Sequence, residues 1–356
     1  MNATSMKKLI VQEGGALSVG EAEVPIPGPG EVLIRAAVTL ICGSELKGYR
    51  DAGSVGSNLG HEGAGTVAAL GEGVAASWRG RRVGASAISG CGRCPECEAQ
   101  RYTWCEDKRF HGAMHAEYFV VPVAVCAPLP AGMTWACGAL VSGDGFGAPY
   151  HTNTRIVTPE TVRTVAVFGL GPIGLGSVLL QRHHGRRVIG MDLSPERCAM
   201  ALALGAAEVL RPDETDPVRA IRELTDGAGA DICIEAVGIP ETVEQALAAV
   251  KNGGPVLLNG EQGPIAINPS EQLIRRDITV TGCWFYHFRE IRPMMELAAR
   301  GLEIERLVTH TFAGAQAPEA FRRFRLGQTG KVALLWNPAQ GSDRPTGLPE
   351  DAGDLI

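Results

Sequence analysis

No basic block interrupts this chain. Lys+Arg 33 against Asp+Glu 39 leaves a net charge of −6, so no nucleic-acid or anionic-membrane surface is expected. No apolar run is long enough to cross a bilayer. The longest, 164–180, carries four Gly and a Pro and falls short of the roughly 20 residues a span needs. The segment 6–11 begins like an export signal, but Gln12-Glu13-Gly14-Gly15 ends its apolar run too early, so a cytoplasmic protein is expected. Aromatics are scarce, at 5%, and the 46 glycines show neither a triplet period nor an internal repeat, which leaves tight turns and close backbone approaches as their use.

What is present is globular. Hydrophobic residues at 45% and charged residues at 20% allow a large core, and 356 residues predict one or two domains. Up to about residue 145 the chain is turn-rich and β-patterned, with runs at 31–38, 65–70 and 117–122. From about 162 short apolar strands alternate with helices: 165–168, 187–191, 231–235 and 255–258 are strands, and 173–182, 195–204 and 241–251 are helices. That rhythm predicts parallel βαβ units in a doubly wound α/β sheet. The segment 341–356 is polar and Pro/Gly-bearing, a loose tail.

Two motifs carry chemistry. Gly169-Leu170-Gly171-Pro172-Ile173-Gly174 follows a strand and opens a helix. The first Gly permits the turn, the second lets backbone approach a pyrophosphate, and the third allows helix–strand packing. Asp192 ends the next strand, where a carboxylate accepts ribose hydroxyls and repels a 2′-phosphate, so NAD is expected rather than NADP; Arg197 nearby is the residue that would tolerate phosphate. The second motif places Cys91, Cys94, Cys97 and Cys105 within fifteen residues, a spacing that wraps a tetrahedral zinc. Four sulfur ligands leave no open position, so that zinc is structural. Disulfides and a nucleic-acid zinc knuckle compete with this reading; the first conflicts with compartment and the second lacks a basic face.

Cys42 and His61-Glu62 are weak evidence alone. Taken in order, Cys42-Gly43-Ser44-Glu45, Gly60-His61-Glu62-Gly63, the four-cysteine lobe and the glycine motif with Asp192 resemble the zinc-dependent medium-chain alcohol dehydrogenase family, in its sorbitol- and threonine-dehydrogenase-like branch. The resemblance implies a GroES-like β-barrel catalytic domain (1–145, with the lobe at 91–105), a Rossmann domain (146–285) and a return to the catalytic domain with a tail (286–356). It implies a second, catalytic zinc on Cys42, His61 and Asp144, with Glu62 a ligand or neighbour and Cys137 a weaker rival to Asp144. Glu45 stands where the family has Asp to hold the His61 ring, and Ser44 begins a proton relay. Lys47 stands where some members finish that relay with a His, and is read as a phosphate or ribose contact. Lys331 resembles the basic residue that reaches the pyrophosphate.

Tyr49, Met114, Trp284, Phe285 and Tyr286 are expected to face the substrate. The implied activity is hydride transfer between NAD and a secondary alcohol or its ketone, of polyol, cyclitol or sugar-like type, in a homodimer or homotetramer. Two other readings compete: a NAD-sensing or zinc-lobe regulatory protein without turnover, and a metal-less reductase of activated double bonds.

Overall fold

The computed structural model describes residues 4–157 and 159–337; the tail expected over 341–356 lies outside the described residues. Strands Thr164–Phe168, Arg187–Met191, Glu208–Leu210, Ile232–Glu235, Pro255–Leu258 and Thr279–Gly282 form one all-parallel sheet. Numbered along the chain, they lie in the spatial order 3-2-1-4-5-6. Val165, Ala166, Val167 and Phe168 are all buried because helices cover both faces. Strand order reverses between Thr164–Phe168 and Ile232–Glu235, the crevice where such sheets take a ligand beyond their carboxyl ends.

Four helices around this sheet begin on proline: Pro172–His183, Pro195–Ala203, Pro217–Glu223 and Pro240–Ala249. The ring presets the helical φ and removes an N–H that the first turn would leave unpaired. Ser194 and Asp216 cap two of them, accepting from the Arg197 and Arg219 amides at 3.2 and 3.0 Å.

The second sheet is built on Glu31–Leu40. It pairs antiparallel with Gly63–Leu70 on one edge, and on the other with Tyr118–Pro122 near its start and Lys331–Leu335 near its end. Arg82–Ala85 and Cys126–Pro128 extend one side, and Val308–Ala313 the other, parallel to Lys331–Leu335. The chain thus leaves this sheet, builds the parallel one, and comes back to finish the first.

The two sheets share a core in which Val38 and Leu40 join Phe146, Leu175 and Val178. The helix Asp144–Thr154 runs across residue 146 and packs on Pro172–His183. A Cβ at Gly176 would lie 2.9 Å from the Gly145 carbonyl oxygen, so glycine is what lets these helices touch.

Candidate metal centre and nucleotide groove

Adjacent antiparallel strands place their connecting residues at one end of the sheet. Cys42 follows Glu31–Leu40, and His61-Glu62 precedes Gly63–Leu70; the Leu40 amide donates to the Glu62 carbonyl at 2.9 Å. Asp144 opens the helix Asp144–Thr154 at the same place. One donor atom each from Cys42, His61, Glu62 and Asp144 lies within 4.8 Å of the others. Cys42 Sγ stands 3.6 Å, and His61 Nε2 3.4 Å, from Asp144 Oδ2. Tetrahedral zinc with ordinary bond lengths separates a thiolate from a carboxylate oxygen by roughly 3.6 Å and an imidazole nitrogen from it by roughly 3.4 Å. The spacing fits.

Charge fits as well. When ionised, Cys42, Glu62 and Asp144 carry three negative charges against the one positive charge of Lys331, and the remaining two match a divalent ion. Burial pushes the Cys42 thiol up, and Lys331 draws it back only in part. Burial works against charge on His61, yet Asp144, Cys42 and Glu45 carry its pKa well above the ordinary value. Burial also raises Glu62, against the pull of Lys331. The pocket is short of positive charge in its middle.

Orientation of His61 comes from its own loop. Nδ1–H donates to the Leu59 carbonyl at 3.0 Å, which leaves Nε2 facing Asp144. Glu45, expected to hold this ring, stands 3.7 Å from Nδ1. Its carboxylate instead accepts from the Cys42 amide at 3.1 Å, Tyr49 Oη at 3.0 Å and His115 Nε2 at 2.9 Å. Ser44 is exposed and its hydroxyl donates to Cys42 Sγ at 3.3 Å; Lys47 is exposed.

Several further expectations need correction. Lys331 does not reach a pyrophosphate. It starts a strand beside Glu31–Leu40, its side chain is 1% exposed, and its ammonium is bonded to Glu62. A cation that deep needs a carboxylate, and this one is Glu62. Tyr49 does not face a substrate: one helical turn after Glu45 it turns into the core, its ring edge-on to Phe321 at 5.3 Å. Met114 is fully buried among barrel residues, its amide held by the Gly60 carbonyl. Phe285 and Tyr286 stack at 4.5 Å and are buried, and Tyr286 Oη donates to the Ser142 carbonyl, two residues before Asp144. Trp284 remains 40% exposed, edge-on to Phe110.

The glycine motif is built as its spacing predicts. Gly169 has φ +87°, and a Cβ at Gly174 would lie 1.8 Å from the Gly169 carbonyl oxygen. Around Gly171 the nearest atom to such a Cβ is Arg197 Nη1 at 3.9 Å, so this backbone is open to a ligand. Pro172 and Ile173 begin the helix, partly exposed. Asp192 accepts from the Leu170 and Ser194 amides at 2.8 and 2.9 Å, with Arg197 Nη1 at 4.0 Å. The groove adjoins the cluster of Cys42, His61, Glu62 and Asp144: the helix that opens at Pro172 rests on Gly145, next to Asp144.

In the lobe, the sulfurs of Cys91, Cys94, Cys97 and Cys105 meet within 4.8 Å, with Cys94–Cys97 at 3.5 Å and Cys91–Cys97 at 4.0 Å. Four thiolates on tetrahedral zinc stand roughly 3.8 Å apart. All four cysteines are free of disulfides. A Cβ at Gly90 would fall 2.1 Å from Cys97 Sγ, so the loop closes only with glycine there. Cys137, the rival ligand, is buried in the shared core.

Two buried networks escaped the sequence reading. One runs Trp336–Thr39–His115–Glu45. The other ties the lobe to the helix of Asp144: Thr103 Oγ1 meets His287 Nδ1 at 2.7 Å, the His287 amide donates to Glu290 at 2.8 Å, and His151 Nδ1 donates to the same carboxylate at 3.1 Å. An isolated histidine in a sequence has no partner to reveal it.

Two family profiles match the chain: an alcohol dehydrogenase GroES-like domain over residues 28–131 and a zinc-binding dehydrogenase domain over 172–300. The L-threonine 3-dehydrogenase of Pyrococcus abyssi is 32% identical over 330 residues, 88% of this chain and 94% of that protein. The probable D-xylulose reductase A of Arthroderma otae is 29% identical over 94% of this chain and 99% of its own. Among solved structures, the alcohol dehydrogenase TADH of Thermus sp. ATN1 superposes with a TM-score of 0.84 at 28% identity, covering 93% of this chain and 99% of that one.

Proposed function

The chain belongs to the zinc-dependent medium-chain alcohol dehydrogenase family, and on that premise we propose that it exchanges hydride between NAD and a small hydrophilic secondary alcohol, of polyol, sugar-like or amino-alcohol type. That it is an oxidoreductase follows from the family; the cofactor preference, the residues and the substrate class are the proposal. The carrying observation is the convergence of Cys42, His61, Glu62 and Asp144 beside the helix that opens the glycine-motif groove.

Cys42, His61 and Asp144 would hold a catalytic zinc, with Glu62 kept beside it by Lys331. When bound, the ion supplies Lewis acidity that makes a substrate hydroxyl acidic near neutral pH. Ser44, exposed and next to Cys42, takes up the hydroxyl proton and passes it toward solvent. Gly171 and the first turn of Pro172–His183 receive the pyrophosphate, whose charge suits a helix N-terminus. Asp192, fixed by two backbone amides, accepts ribose hydroxyls and disfavours a 2′-phosphate, supporting NAD. The four-cysteine lobe holds a second, structural zinc. Relatives named for threonine and for xylulose share a reacting secondary hydroxyl or its ketone. A cytoplasmic homodimer or homotetramer completes the reading.

The test is NADH formation at 340 nm from L-threonine, xylitol, sorbitol and 2,3-butanediol, with NAD and with NADP, before and after 1,10-phenanthroline. Chelator-sensitive turnover of at least one secondary alcohol, faster with NAD, is expected. A protein with one zinc per chain and no turnover of any of them would sink the proposal.

A further inference from the structure

The Glu45 carboxylate sits between two metal-ligand loops, and something must hold it there. Its side chain is 1% exposed, and Oε2 is gripped from below by His115, which is fully buried. We propose that His115 is a positioning residue for the metal centre: by fixing Glu45, it fixes the Cys42 amide and the surroundings of the His61 ring. The proposal rests on reading Cys42, His61 and Asp144 as a metal site.

Direction along the network is set by chemistry. An indole N–H only donates, so Thr39 Oγ1 accepts from Trp336 Nε1 at 2.9 Å. The Thr39 hydroxyl proton is then free to go to His115 Nδ1 at 2.8 Å. A carboxylate only accepts, so His115 Nε2 carries the proton donated to Glu45 Oε2 at 2.9 Å. One orientation of the imidazole satisfies both ends. The other carboxylate oxygen, Oε1, is left for the Cys42 amide at 3.1 Å, with His61 Nδ1 3.7 Å away.

The backbone is tied down with equal care. Asn58 Nδ2 donates to the His115 carbonyl at 2.7 Å, and Asn58 Oδ1 accepts from the Gly60 and His115 amides. A Cβ at Gly60 would lie 2.5 Å from His115 Cγ, so the residue before His61 must be glycine for the imidazole to pass under it. The His115 segment is therefore the floor of the His61 loop. Outer-shell partners of metal ligands of this kind shift metal affinity by roughly 10–100-fold when removed.

The experiment compares His115→Gln, His115→Asn and His115→Phe in the full-length zinc-loaded protein. Glutamine places an amide N–H near the Nε2 position and keeps the bond to Glu45; asparagine reaches only toward Thr39; phenylalanine fills the space with no donor. Zinc retained against a dipicolinate titration is measured, with the four-cysteine zinc as internal reference, together with the near-ultraviolet thiolate-to-cobalt band of the cobalt-substituted protein. Expected is an affinity loss of roughly 10–100-fold at the Cys42 centre in the Asn and Phe variants, with a shifted cobalt band, and behaviour close to the unsubstituted protein in the Gln variant. Thr39→Val keeps the volume, deletes the hydroxyl, and carries the same direction of change should a histidine variant fail to fold. Two zincs per chain with all folded variants alike, whether all retaining or all losing metal, overturns the role of His115. An unsubstituted protein with one zinc per chain overturns the reading of the metal centre and this inference with it.

Discussion

Lys331 and Glu62 form an ion pair in which neither side chain is more than 1% exposed. The two are 269 residues apart, one starting a strand of the returning chain and the other beside His61. Removing one partner of a buried pair strands the other charge, at about 3–5 kcal/mol. Lys331→Met is expected to lower stability by about that amount, read from urea denaturation. The double variant Lys331→Met/Glu62→Gln should recover part of the loss, and equal stability of the single and double variants would refute the pairing.

The four-cysteine lobe separates from the Cys42 centre in composition and place. Cys105→Ser is expected to release one zinc per chain, lower the thermal midpoint and leave the second zinc bound; metal analysis beside calorimetry checks it. Retention of both metals would show that the four sulfurs do not share an ion.

His287 gives the protein a pH dependence of known sign. Burial lowers its pKa to about 4, with Glu290 opposing the shift and His151, Arg289 and Arg101 adding to it. Between pH 4 and about 6.5 the unfolded chain therefore binds more protons than the folded one, so stability is full above that window and declines as pH falls through it. Below pH 4 this contribution is flat. His287→Gln is expected to reduce the slope of urea midpoint against pH across that window, and an unchanged slope would locate the dependence elsewhere.

Two glycines of one motif should fail differently. Alanine at Gly174 places a methyl 1.8 Å from the Gly169 carbonyl and forces helix and strand apart, a strain of about 1–3 kcal/mol or more. Alanine at Gly171 meets nothing closer than 3.9 Å and should leave stability intact while raising the KM for NAD. Thermal melts and cofactor titrations on both variants distinguish them; equal stability loss at the two sites would contradict the geometry.

Local chemistry was legible before any coordinates. The glycine turn, the helix start at Pro195 and the alternating strands are decided by φ, by a missing N–H group and by periodicity over a few residues, whereas the helix read from residue 173 begins one residue earlier, on Pro172. Cys42, His61, Glu62 and Asp144 were found only through resemblance, because 102 residues separate the first from the last and no spacing rule joins them. Tyr49 and Met114 were misplaced because a single apolar or aromatic residue gives no sign of which side of a strand or helix it will take.

By itself the sequence determined the glycine turn and the four-sulfur lobe, since each is closed by residues near one another in the chain, and the α/β class, since strand and helix alternate locally; the pairing of Thr164–Phe168 with Ile232–Glu235 is not local. Tertiary structure alone decided that Lys331 answers Glu62 rather than a phosphate, that Leu59 rather than Glu45 orients His61, and that Trp336, Thr39 and His115 stand behind Glu45. A buried polar atom must find a partner wherever the fold brings one, and that partner is chosen by strand pairing across the whole chain.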